Sequence, residues 1–257
     1  MRLIGAYHSD VGIRKKTNQD ALLLMEANTR LGAVALAVIC DGMGGLAEGE
    51  VASGTVCVGF QQWFLEELPA LIEVDCSEGD VKASWEELVF ALNARMLSYG
   101  DFHHLSLGTT LTALLLIGTR YLIINIGDSR VYELSDSLHQ LTKDQTVVQR
   151  EVDLGMITQE DAERDPRANI LLQCIGASES IQPQFIMGDT VCDTVYLLCS
   201  DGYRHQIRLK ELWDHLNPQV IQTEQQLTNN IVYLTDLNKH RRESDNISAV
   251  AIKVEAG

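Results

Sequence analysis

Three times in this chain an apolar run ends at an aspartate, and a fourth aspartate stands just ahead of another such run. "VALAVICDGMGG" delivers Asp41, "YLIINIGDSR" delivers Asp128, "TVYLLCSDG" delivers Asp201, and "ESDNISAVAIKV" places Asp245 at its start. The runs are too short for a membrane span and too apolar for half-exposed strands, so they are expected to be strands covered on both faces. Carboxylates at the ends of buried strands are costly. An ionised carboxylate that leaves water without a compensating charge costs several kcal/mol or more. Asp-Gly is also an ordinary hairpin dipeptide, which explains any one of these sites taken alone. Four with the same placement point instead to a shared divalent cation, since hard ions such as Mg²⁺ and Mn²⁺ take oxygen ligands and offset repulsion among carboxylates.

The order of segments sets the architecture. Apolar runs cluster early ("ALLLM", "AVALAVI"), two helical stretches follow, and runs recur from Thr109 to Leu141 and again as "NILLQCI", "TVYLLC" and "NISAVAIKV". Trp85, Leu88, Leu92, Met96 and Tyr99 recur at helical spacing, as do Leu227, Ile231, Leu234 and Leu237. A further helix is expected from about Ala47 to Leu68, stopped by Pro69. The polar stretch 73–82 reads as a loop, and 142–169 as a longer charge-rich excursion. Strands grouped apart from helices favour antiparallel sheets with helices packed outside, not a doubly wound fold. "GMGGLA" formally fits a dinucleotide cradle, but the strand–helix alternation and the distal acidic residue that such a cradle needs are missing.

Composition excludes more than it assigns. With 257 residues, 46% of them hydrophobic, the chain can bury a sizeable core. The net charge of −16 disfavours nucleic acid and anionic membrane as partners and favours divalent cations. No secretory h-region and no bilayer-length apolar run are evident, so a cytoplasmic location is expected. The six cysteines lack C-x-x-C pairing and are expected to be buried thiols. The basic clusters at 14–16, 204–210 and 239–242 are expected to be solvated faces.

Taken together the motifs resemble the metal-dependent serine/threonine protein phosphatases of the type 2C, or PPM, family, in its bacterial form. "SDVGIRKKTNQD", "DGMGG", "LGTT", "IGDSRVY", "LTKDQT", "SDG" and "SDNIS" occur in family order across almost the whole chain. The resemblance implies an α+β fold: a four-layer αββα sandwich of two central antiparallel sheets flanked by pairs of helices, formed by residues 1–257 as one domain with a flap at about 142–169. It implies that Asp41 bridges two Mn²⁺ or Mg²⁺ ions, that the Gly42 carbonyl binds one of them, and that Asp201 and Asp245 complete the set. It also implies that Asp128 with Asp201 holds a third, weaker ion, and that Asp20 orients metal-bound water. The implied chemistry is direct hydrolysis of phosphoserine and phosphothreonine by a water shared between two ions. Consistently, the chain has no C-x5-R cysteine-phosphatase loop.

Departures from the pattern are specific. Where the family usually binds phosphate with an arginine, this chain has Lys15, with Arg14 as an alternative. Met43 stands where many members carry histidine. Gln145 and Asp165-Pro166 replace a histidine and a His-Pro pair in the flap, and His103 and His104 are expected in a surface turn. The implied partners are phosphoprotein substrates and an opposing Ser/Thr kinase in a signalling role, with the chain acting as a monomer. The alternative is a catalytically silent relative that binds a phosphoprotein as a regulatory module.

Overall fold

The computed structural model describes residues 2–43, 48–74 and 77–255. Among the described residues ten strands make two five-stranded sheets, both antiparallel throughout. One contains, in spatial order, β1 (Arg2–Asp10), β10 (Ile247–Glu255), β9 (Thr194–Cys199), β6 (Arg130–Leu134) and β7 (Leu138–Gln140). The other contains β2 (Asp20–Thr29), β3 (Gly32–Asp41), β4 (Leu111–Ile117), β5 (Arg120–Ile126) and β8 (Gln184–Asp189).

Both sheets are covered on both faces, which explains strands with hardly a polar position. On β3, Val34, Leu36, Val38 and Cys40 face α1 (Gly49–Glu66) and α3 (Glu78–His103), while Ala35, Ala37 and Ile39 face the opposite sheet. On β10, Ala249 and Ala251 pack with α7 (Leu209–Leu216) and α8 (Glu224–His240), while Val250, Ile252 and Val254 point inward to meet β3 and β4. The two-residue period of a strand divides an unbroken apolar run between two cores. The expected four-layer sandwich therefore has three apolar interfaces. In the outer layer Trp85 meets Phe60 and Trp63 edge-on at 5.4 Å, and the Trp63 indole donates to Ser84.

Several expectations need correction. Pro69 does not stop a helix running to Leu68. It stands in the first turn of α2 (Leu68–Glu73), where a missing N–H costs nothing, and α1 has already ended at Glu66. The polar stretch 73–82 is only partly loop, because Ser77 and Asp80 form a capping box that starts α3. The excursion 142–169 holds two short helices, α4 (Val147–Asp153) and α5 (Gln159–Arg164), each capped by a threonine. "NILLQCI" is not a strand. It makes only isolated bridges, Leu171 with Thr146 and Ile175 with Thr109. Conversely, the edge strands β1 and β8 are strands without apolar runs. Cys192 is exposed, unlike Cys40, Cys57, Cys174 and Cys199, and Cys76 lies outside the described residues. Among the described residues no helix is long and apolar enough to cross a membrane.

Candidate active site

The two sheets present their aspartates at one end of the sandwich. Asp41 is the last residue of β3 and is paired in register with Asp20, the first of β2. Asp201 lies two residues past the end of β9, after Ser200, and opens α6 (Asp201–Arg204), and Asp245 lies two residues ahead of β10. Asp128 lies in the turn that carries the chain from β5 in one sheet to β6 in the other. Asp41, Asp128, Asp201, Asp245 and Lys15, with Met43, Thr110, Asn169 and Leu171, line one cavity of about 200 Å³.

Backbone clamps hold this ring. The Asp41 amide donates to the Thr110 hydroxyl at 2.9 Å, and its carbonyl accepts from the Thr110 amide and the Thr109 hydroxyl. This is the structural work of "LGTT". Gly42 donates its amide to the Gln19 carbonyl, and a Cβ there would lie 2.4 Å from the Gly49 carbonyl oxygen. The bare backbone is thus required by close packing against neighbouring main chain. Gly44 and Gly45, the rest of that turn, lie outside the described residues. Asn246, buried beside Asp245, accepts from the Gln19 amide and donates to the carbonyls of Val11 and Thr17. It thereby ties the loop bearing Lys15, and the start of β2 bearing Asp20, to the start of β10.

The electrostatics are those of crowded acids. Burial first, and then the charges of Asp20, Asp201, Asp128 and Asp245, hold Asp41 well above the usual carboxylate range. Burial likewise pushes Asp20 up to about 7, with the Ser248 and Ser200 hydroxyls opposing it and Asp201 and Asp245 adding to it. Oδ1 of Asp201 is buried and makes no hydrogen bond, and both oxygens of Asp20 are buried without a well-formed one, the nearby Ser248 and Ser200 hydroxyls supplying only weak contacts. Orphaned acceptors of this kind are expensive. A hydrated cation would relieve them, and all the donors here are hard oxygens, so the residues suit Mg²⁺ or Mn²⁺. Among the described residues no three acidic, histidine or cysteine side chains close around one point. Such a site suits ions that keep much of their water and take one or two carboxylates each.

Lys15 reaches the cavity and contacts Asp245 Oδ1 at 2.8 Å, whereas exposed Arg14 does not line it. Burial opposes the charge of Lys15, but Asp245 outweighs it and holds the amine above its usual range. His103 and His104, at the exposed end of α3, do not line the cavity. Gln145 is a brace: it accepts from the Gly127 amide and from Gln173, and donates to the Asn125 carbonyl.

The cluster 204–210 is not simply a solvated face. Arg204 is largely buried, with its guanidinium 3.4 Å from Asp128 Oδ2 and 3.5 Å from Asp144 Oδ2. Arg130 grips Asp144 through two hydrogen bonds of 2.8 and 2.7 Å. His205 lies 3.6 Å from both Asp201 and Glu243. From 239–242, Lys239 pairs with Asp10 at 2.7 Å. Nothing in the local sequence marks Arg204 as belonging to the site, because its partners Asp128 and Asp144 lie 76 and 60 residues away along the chain, whereas Arg130 and Asn246 sit inside the motifs "IGDSRVY" and "SDNIS" with no sign there of what they hold.

A family model described as Protein phosphatase 2C matches residues 4–239. The chain is 35% identical over 228 residues to the serine/threonine protein phosphatase PstP of Mycobacterium tuberculosis, a match covering 86% of this chain and 40% of that protein. It therefore spans well under half of that relative's length. It is 30% identical over 223 residues to the serine/threonine phosphatase stp of Listeria welshimeri, covering 85% of this chain and 84% of that one. A crystal structure of the catalytic domain of PstP in complex with two manganese ions superposes with a TM-score of 0.80 at 31% identity, over 99% of each chain.

Proposed function

The chain belongs to the protein phosphatase 2C family, and from that membership we propose that it is a metal-dependent protein phosphatase acting on phosphoserine and phosphothreonine. The observation that carries the proposal is the convergence of four aspartates, Asp41, Asp128, Asp201 and Asp245, on one cavity, with Oδ1 of Asp201 left without a partner. Asp41, the Gly42 carbonyl, Asp201 and Asp245 would hold two Mn²⁺ or Mg²⁺ ions. When bound, the ions supply a water that is nucleophilic near neutral pH and offset the charge of the phosphoryl oxygens.

The chain's own groups do the rest. Asp20, paired in register with Asp41, would accept hydrogen bonds from water held beside Asp41 and orient it. Lys15 supplies the positive charge that meets the phosphoryl group, as a point charge without the two-pronged geometry of an arginine. Met43 and Leu171 are the apolar side chains in the wall of this otherwise polar cavity. Residues 142–169 serve as a flap. Their helices α4 and α5 wall a second cavity of about 640 Å³ together with Arg130, Arg204 and Arg208, and Asn169 lines both cavities. This is where the polypeptide flanking the phosphorylated residue would lie. Phosphoproteins made by an opposing Ser/Thr kinase are the substrates, and the chain works as a cytoplasmic monomer.

The test is release of phosphate from a phosphothreonine peptide by the purified chain. With Mn²⁺ turnover is expected, and with EDTA or in Asp41→Asn it should fall at least about a hundredfold, as for the loss of a principal electrostatic contributor. Binding of the peptide without any metal-dependent turnover would favour the regulatory binding module instead.

A further inference from the structure

The acids around the cavity fall into two groups that differ in how their charge is met. Asp41, Asp201 and Asp245 line the cavity with one ammonium, that of Lys15, while Asp20 is paired in register with Asp41; Oδ1 of Asp201 and both oxygens of Asp20 lack a well-formed hydrogen bond. Asp128 is different. It is only 4% exposed, and the Arg204 guanidinium sits against it, 3.4 Å from Oδ2 and 3.3 Å from its backbone carbonyl oxygen. The same guanidinium reaches Asp144, which Arg130 holds from the other side. Asp128, Arg204, Asp144 and Arg130 thus form an alternating set of two carboxylates and two guanidiniums with no net charge. His205 lies outside it, between Asp201 and Glu243.

We propose that Arg204 is a built-in counter-cation, occupying at Asp128 the place that a third divalent ion would take, so that this chain holds its ions at Asp41, Asp201 and Asp245 only. The inference rests on the metal-dependent reading above. A guanidinium stays protonated at any working pH, so its charge cannot be withdrawn to make room for a metal. An ion entering at Asp128 would have to displace it, leaving a largely buried cation short of its acceptor. The same acids would be inviting to a hard ion if Arg204 were not there. The sandwich delivers Asp128 to the metal cavity, but the first turn after β9 supplies its partner.

The experiment is uptake of Mn²⁺ by the full chain, followed by isothermal titration and by electron paramagnetic resonance of the ion left free. Wild type and Asp128→Asn should take up the same number of ions, about two. Arg204→Ala should gain one further, weaker site, which the double variant with Asp128→Asn loses again. Three ions on the wild type, with one lost in Asp128→Asn, would overturn the inference while leaving the phosphatase reading intact. No uptake at all would overturn both. If Arg204→Ala does not fold, the comparison of wild type with Asp128→Asn still decides, because a carboxylate that binds metal cannot be neutralised without losing an ion.

Discussion

Lys15 and Asp245 meet at 2.8 Å with each side chain about one-third exposed, an arrangement that joins the phosphate-binding candidate to a metal-ligand candidate. In Lys15→Met, KM for a phosphopeptide should rise roughly tenfold, the low end for losing a charge-assisted hydrogen bond at a partly exposed place. Steady-state kinetics with saturating Mn²⁺ checks this, and an unchanged KM would remove Lys15 from phosphate binding. At this scale the sequence was legible where chemistry conflicts with burial. An aspartate at the end of an apolar run is conspicuous, whereas Arg204 looks like one more member of a basic surface cluster. Its role follows from Asp128, 76 residues away, and no local pattern carries that contact. Gln145 was legible only as a departure from a pattern; its bracing of Gly127 and Asn125 depends on how the flap base folds back on β5.

Between elements, one contact ties α8 to the loop that carries Lys15. Lys239 near the end of α8 donates to Asp10 Oδ2 at 2.7 Å, while Oδ1 of Asp10 accepts from the Gly12 amide. Burial acts to raise the Asp10 carboxyl, but Lys239 and the Gly12 amide outweigh it and hold the group below its usual range. A depressed carboxyl contributes stability that is present above its unfolded value, about 4, and is lost as pH falls through the lower folded value. Lys239→Met leaves burial opposed only by the remaining partners, so acid unfolding followed by circular dichroism should begin at higher pH. At neutral pH the loss should be about 1 kcal/mol or less, since the pair is partly solvated. Coincident acid transitions would show that the contact does not couple α8 to the loop. Element boundaries were the less legible part of the fold. Short polar signals such as Ser77 with Asp80, or Pro69 in a first turn, start helices where a polar or proline-bearing stretch suggests an end. The edge strands β1 and β8 lack the apolar density that marks the central ones.

For the whole molecule, the decisive property is that two sheets with apolar faces on both sides meet along one seam and open at one end onto acids from each. That architecture was legible because three apolar interfaces need strands with hardly a polar position, and the sequence has them. The way the acids divide was not, since it depends on how the turn from β5 to β6 and the first turn after β9 come together. The most direct measurement is anomalous diffraction at the manganese edge from a crystal of this chain soaked in Mn²⁺. Two peaks are expected within the cavity walled by Asp41, Asp201 and Asp245, and none between Asp128 and Arg204. A soaked crystal with no manganese among those three aspartates would contradict a two-ion site there.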